Sequence, residues 1–172
     1  EDMEELNLRP SSKVLEQKLV RASEDLLNTL RLPASDPRVT KITRVRMADG
    51  EPLLIETTHV PHYLCPGLVN EDLSNRSLYR LLREQYGLQL YRAIETYEPI
   101  CLSKEEAELL RCKQGTSAFS IERITFLETG EPVEQTNSVL RGDKCRFVVE
   151  LRAENASIRR TVELGNAQPA RG

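Results

Sequence analysis

At 172 residues and 19.6 kDa, the chain has the size of one domain with one sizeable core. Hydrophobic residues make up 39% and charged residues 30%, which suits a soluble α+β domain with a well-charged exterior and excludes wholesale disorder. The formal net charge of −3 and pI of about 5.6 exclude a self-sufficient nucleic-acid binder, so a local basic pocket would serve a small anion rather than a polyanion.

The opening EDMEELNLRP lacks both an initiator Met and a basic, apolar signal region, and reads as the start of a fragment. A polar lead-in to Ser12 precedes a strand over 13–20. SEDLLNTLRL is a short helix: Ser23 caps it, acids follow, Leu26, Leu27 and Leu30 form one stripe, and Pro33 and Pro37 end it. ITRVRMADGEPLLIETT is a β-hairpin, with Ala48-Asp49-Gly50 as a three-residue loop. A Pro-broken crossover, PHYLCPGL, leads to the helix SLYRLLREQYGL, capped by Ser77 and stopped at Gly87. Gln89 to Pro99 reads as a long central strand, and SKEEAELLRC as a helix with Ser103 and Glu106 forming a capping box. Ser117 to Leu140 is a second hairpin, Arg141-Gly142-Asp143 a turn, and CRFVVEL a last strand. From Arg152 the tail is expected to fray.

The sum is six or seven strands joined by hairpins, with three helices: an antiparallel α+β domain rather than a doubly wound one. LETGEPVEQTNS lies over MADGEPLLIETT at a constant offset, a hint of internal duplication.

The first hairpin raises a chemical question. Arg44 and Arg46 share one strand face, since side chains alternate. With the three-residue loop, Ile42 pairs with Glu56, and Glu56 falls on the arginine face. A two-residue loop would flip that parity. Two guanidinium forks can grip phosphate or carboxylate oxygens, and a nearby carboxylate can accept from hydroxyl or amino groups. Ser77 could add a hydroxyl to the anion. The plain alternative is a half-exposed strand with Glu56 as a cross-strand surface partner, and Ser77 as a helix cap only.

Other candidates carry less. His59 and His62 form H-x-x-H beside Pro61 with no third ligand in view, so no metal is expected. Cys65, Cys101, Cys112 and Cys145 show no CxxC spacing and read as reduced, largely buried thiols of a cytosolic protein. Tyr97 either lines a pocket or simply packs, and Glu98 either lines it or faces solvent. No P-loop, G-x-S-x-G or G-x-G-x-x-G occurs, no cofactor is implied, and no run approaches a membrane span of about 20 apolar residues.

ITRVRMADGEPLLIETTHVP, then PGL, SLYRLLREQYGL, the E-A-x-L-L helix and SVLRGDKCRF, in that order, resemble the UTRA effector-binding domain of GntR-type, HutC-like bacterial transcription regulators. The resemblance runs over residues 1–151, leaving 152–172 as a tail. It implies a chorismate-lyase-like antiparallel sheet with flanking helices, in a cytoplasmic, homodimeric regulator of the repressor type. DNA is then bound through a preceding winged-helix domain absent from this chain. It further implies a small anionic effector, most simply a sugar phosphate, contacted by Arg44, Arg46, Glu56 and Ser77. Leu140 stands where many members have a pocket tyrosine. The arginines are expected to stand apart in the empty domain and converge on the effector, and the strand 145–151 to lie near a dimer interface. The shared fold leaves open a lyase acting on a small carboxylate, with Glu56 as acid or base.

Overall fold

Three serines start three helices. Ser23, Ser77 and Ser103 each accept a hydrogen bond from the backbone N–H three residues on, at Leu26, Arg80 and Glu106. The helices that follow are α1 (Glu24–Thr29), α2 (Leu78–Glu84) and α3 (Lys104–Leu109). Glu106 returns a bond to the Ser103 backbone at 2.8 Å, completing the expected capping box. The computed structural model describes residues 10–74, 76–150 and 159–163.

Six strands form one antiparallel sheet in the order β1-β2-β3-β6-β5-β4. They are β1 (Pro10–Arg21), β2 (Arg38–Ala48), β3 (Glu51–Pro61), β4 (Leu90–Cys101), β5 (Ser117–Leu127) and β6 (Pro132–Arg141). The expected α+β architecture is therefore present. Three expectations change. The strand taken as central, β4, is an edge strand, with Tyr91 and Ile94 exposed. The segment expected to fray contains β8 (Arg159–Glu163), which pairs antiparallel with β7 (Arg146–Glu150) in a separate two-stranded sheet. Of the four free thiols only Cys65 is buried, and Cys101 is exposed because it ends an edge strand.

The halves repeat. Each runs strand, short helix, hairpin, and each forms three adjacent strands of the sheet. Ser23 and Ser103, Leu30 and Leu110, and Gly50 and Gly130 are each 80 residues apart. Arg31 and Arg111, which leave α1 and α3 with positive φ of 49° and 53°, share that separation. The halves meet where β3 pairs β6, and Thr57 there faces Asn137, again 80 residues on. An antiparallel pair in which a residue faces its own repeat equivalent has a local twofold axis at that point.

The sheet is covered on both faces. On one, Ile42 and Val60 pack with Cys65, Leu68, Leu73 and the α2 residues Leu78, Leu81 and Leu82. On the other, Leu30, just past α1, packs with Ala22 and Val39, and α3 buries Ala107 with Leu102, Leu110 and Ala118. No helix among the described residues is long and apolar enough to cross a membrane.

Candidate functional site

The parity of Glu56 is right for a reason other than the expected one. The β2–β3 loop has two residues, not three: Ala48 faces Glu51, and Asp49 and Gly50 both have positive φ (49° and 80°), the I′ geometry that suits hairpin twist. That loop alone would send Glu56 to the opposite face. A bulge restores it: Met47 faces Pro52 but Arg46 faces Leu54, so Leu53 is an extra residue on β3. Arg44 then lies directly opposite Glu56. The second hairpin carries the same device, with Val133 as the extra residue between the Phe126–Pro132 and Thr125–Glu134 pairs.

The three charged side chains meet. Arg44 Nη2 donates to Glu56 Oε1 at 2.5 Å, and Arg46 Nη1 reaches the same oxygen at 3.4 Å. Their side chains are 3%, 20% and 14% exposed for Arg44, Arg46 and Glu56, so this is not a surface ion pair. The arginines do not stand apart as expected, because one carboxylate already draws both together. Two cations share one anion, which leaves a surplus positive charge. The Nε atoms of both arginines are buried without a hydrogen-bond partner among the described residues. Burial pulls the Arg44 guanidinium below its ordinary pKa; Glu56 opposes this and Arg46 adds to it.

Register places further residues on this face. Glu56 faces Ser138, Leu54 faces Leu140, and Leu140 faces Phe119. Ile121 faces both Ser138 and Tyr97, which brings Tyr97 to the same side. Leu140 is buried. Tyr97 is half-buried, donates to Glu95, and meets the Phe147 ring edge-on at 5.1 Å between centroids. Glu98 alternates to the other face and is exposed. Ser77 caps α2, and the neighbouring Arg76 carbonyl accepts from Arg44 at 3.5 Å. Among the described residues, no group of three His, Cys, Asp or Glu is placed to hold a metal.

Sequence reading missed a second polar cluster on the same face. Arg123 lies opposite Glu95 and donates through Nε at 2.6 Å. Its Nη1 reaches the Tyr79 hydroxyl at 3.4 Å. Tyr79, from α2, donates to Glu134 at 2.8 Å. Thr125 and Thr136 also donate to Glu134, and Thr136 shares a hydrogen bond with Thr58 at 2.8 Å. The alternation of Arg123, Thr125, Glu134 and Thr136 was the available signal, but the other face of the same strands carries Glu122, Gln135, Asn137 and Arg141, so polarity alone does not single out one face. Burial works against the charge on Arg123, but Tyr79 and Glu95 more than offset it and raise its pKa.

Glu134 is fully buried, and burial raises its pKa even though three hydroxyls and Arg123 oppose the shift. A carboxyl with a raised folded pKa contributes most below its unfolded value, and stability falls as pH rises through the folded pKa. Glu134→Gln keeps the shape and removes that titration. Urea denaturation from pH 4.5 to 8 should therefore show a flatter stability profile for the variant than for the parent.

Comparison with known proteins decides the family. The family model described as "UTRA domain" matches residues 5–146. The chain belongs to the UTRA family. It is 34% identical over 150 residues to the HTH-type transcriptional repressor NagR of Bacillus subtilis, covering 86% of this chain and 60% of that protein. It is 30% identical over 137 residues to the transcriptional repressor PhnF of Mycolicibacterium smegmatis, covering 80% and 55%. The chain thus spans roughly three-fifths of the length of these relatives. The effector domain of PhnF from Mycobacterium smegmatis superposes with a TM-score of 0.81 at 26% identity, covering 88% of this chain and 92% of that one. The C-terminal domain of a histidine utilization repressor from Pseudomonas syringae shares the fold, with a TM-score of 0.73 at 22% identity over 84% and 99%. This UTRA chain is an effector-binding domain of the kind found in GntR-family repressors, and its named relatives are regulators rather than lyases.

Proposed function

We propose that the domain senses a small anionic metabolite, with a sugar phosphate as the best fit, and passes its presence to a DNA-binding head in a homodimeric repressor. The observation that carries this is the buried cluster in which Arg44 and Arg46 converge on one Glu56 oxygen. A carboxylate alone could neutralise one arginine. Two arginines held by one carboxylate leave a fixed positive charge in a shielded place, where an anion is worth more than in water. The residues expected to take the effector are Arg44, Arg46, Glu56, Ser77, Leu140 and Tyr97. Glu56 pre-aligns the guanidiniums and can also accept a hydroxyl. Leu140 presents an apolar wall where many members have a phenol.

Binding biases DNA affinity only if the effector contacts two arrangements of the dimer differently, by a coupling of about 1–3 kcal/mol. The test is thermal denaturation of the chain against hexose 6-phosphates, the matching free sugars, phosphonates and chorismate. A true effector at a hundred times its Kd should add about 2.7 kcal/mol. The shift should vanish with the free sugar and in Arg46→Ala. A flat response to every anion would overturn the reading.

A further inference from the structure

The internal repeat makes Arg123 the counterpart of Arg44. Both occupy the strand that lies between its two neighbours in a three-stranded half, both face the site, and each lies directly across a ladder from the glutamate that pairs with it, Glu56 for Arg44 and Glu95 for Arg123. The equivalence is set by the bulges and is 79 residues on these strands rather than 80: Arg44 lies two residues before the Arg46/Met47 shift and faces Glu56, and Arg123 lies two residues before the Thr125/Phe126 shift and faces Thr136, 80 residues beyond Glu56. Between them run β3 and β6, so their backbones are three strand spacings apart, about 14 Å. The floor in that interval is made of small side chains, Thr58, Thr136 and Ser138.

We infer that the Arg123–Glu95 pair is the distal recognition element of the effector site, and that it reads adjacent hydroxyls on the end of the ligand away from its anionic group. This deepens the sugar-phosphate reading and rests on it. The charge balance separates the two ends. At the Arg44 end two guanidiniums share one carboxylate. At the Arg123 end the guanidinium has Glu95 against it at 2.5 Å, with Tyr97 donating to the same carboxylate and Glu134 beyond the Tyr79 hydroxyl, so the charge of Arg123 is already matched and this end is the poorer seat for a second phosphate. A cross-strand Arg–Glu pair instead presents donors beside acceptors, the complement of two neighbouring hydroxyls, each of which donates and accepts. The Arg123 side chain is 38% exposed against 3% for Arg44, so this end is the more open of the two.

The test compares two probes on the same chain by calorimetry. One is whichever hexose 6-phosphate binds most tightly. The other is glycerol 3-phosphate, which keeps the anion and lacks the ring. Glu95→Gln and Arg123→Lys should weaken the hexose phosphate by about tenfold or more and leave glycerol 3-phosphate within about twofold. Arg46→Ala should weaken both. Equal losses for both probes in Glu95→Gln and Arg123→Lys would mark the pair as structural and overturn the inference. So would unchanged hexose phosphate binding in those variants, while loss in Arg46→Ala would still support the anion site. If the parent binds neither probe, both readings fall together.

Discussion

Arg44→Ala should destabilise the empty domain by about 3–5 kcal/mol, besides abolishing the effector response. The reason lies in where the pair sits. Glu56 keeps only 14% of its side chain exposed, and removing Arg44 leaves its carboxylate with Arg46 at 3.4 Å as the remaining partner. An ion stripped of its partner in a shielded place carries most of its desolvation cost. Arg46→Ala is the milder change: Arg44 and Glu56 remain joined at 2.5 Å, and the loss should stay near about 1 kcal/mol. Arg44→Met combined with Glu56→Leu removes both charges and should recover most of the stability without recovering any effector response. Urea denaturation of the four proteins, read beside effector titration, checks this. If Arg44→Ala is as stable as the parent, the pair is not a buried ion pair. If the double variant still answers the effector, the anion site lies elsewhere.

This coupling of stability to binding was only half legible in the sequence. The R-x-R alternation announced a shared face, and Ser23, Ser77 and Ser103 announced the helices, because a cap is chosen by a local backbone need. The pairing of Arg44 with Glu56 was not local. It depends on a two-residue turn and a bulge at Leu53 that each shift the register by one, so that two errors in the expected loop cancelled in parity. Strand order was also out of reach, since β4 could be placed at the edge only by knowing that β3 pairs β6 across 80 residues. The Arg123, Glu95, Tyr79 and Glu134 cluster draws on three strands and a helix, and the alternation along β5 and β6 says nothing of the Glu95 and Tyr79 that complete it.

Arg141 and Gly142 should prove as sensitive as the effector site while touching no effector. In the resemblance to regulators, R-G-D follows the pocket position Leu140, and proximity in sequence invites a ligand role for all three. Alternation argues otherwise: Leu140 faces the site, so Arg141 faces away from it. There it is buried. Its Nε and Nη2 fork onto Asp143 at 3.0 and 2.7 Å, while Nη1 reaches the carbonyls of Leu110 and Pro52 and the Glu51 carboxylate at 3.3 to 3.4 Å. One side chain thus ties the end of α3, the β2–β3 turn and the end of β6. Arg141→Ala would orphan two buried carbonyls and should cost about 3–5 kcal/mol. Arg141→Lys should recover little, because an ammonium cannot make the planar fork. Gly142 has a different constraint: a Cβ there would meet the Ser117 carbonyl oxygen at 2.7 Å, and backbone cannot swing aside as a side chain would. Gly142→Ala should cost about 1–3 kcal/mol through the forced shift of β5 against the turn. The decisive measurement is the ratio of effects. In both variants the melting temperature should fall while the Kd for effector, taken well below that melting temperature, stays within a few-fold of the parent. A large rise in Kd without loss of stability would place Arg141 in the effector site after all.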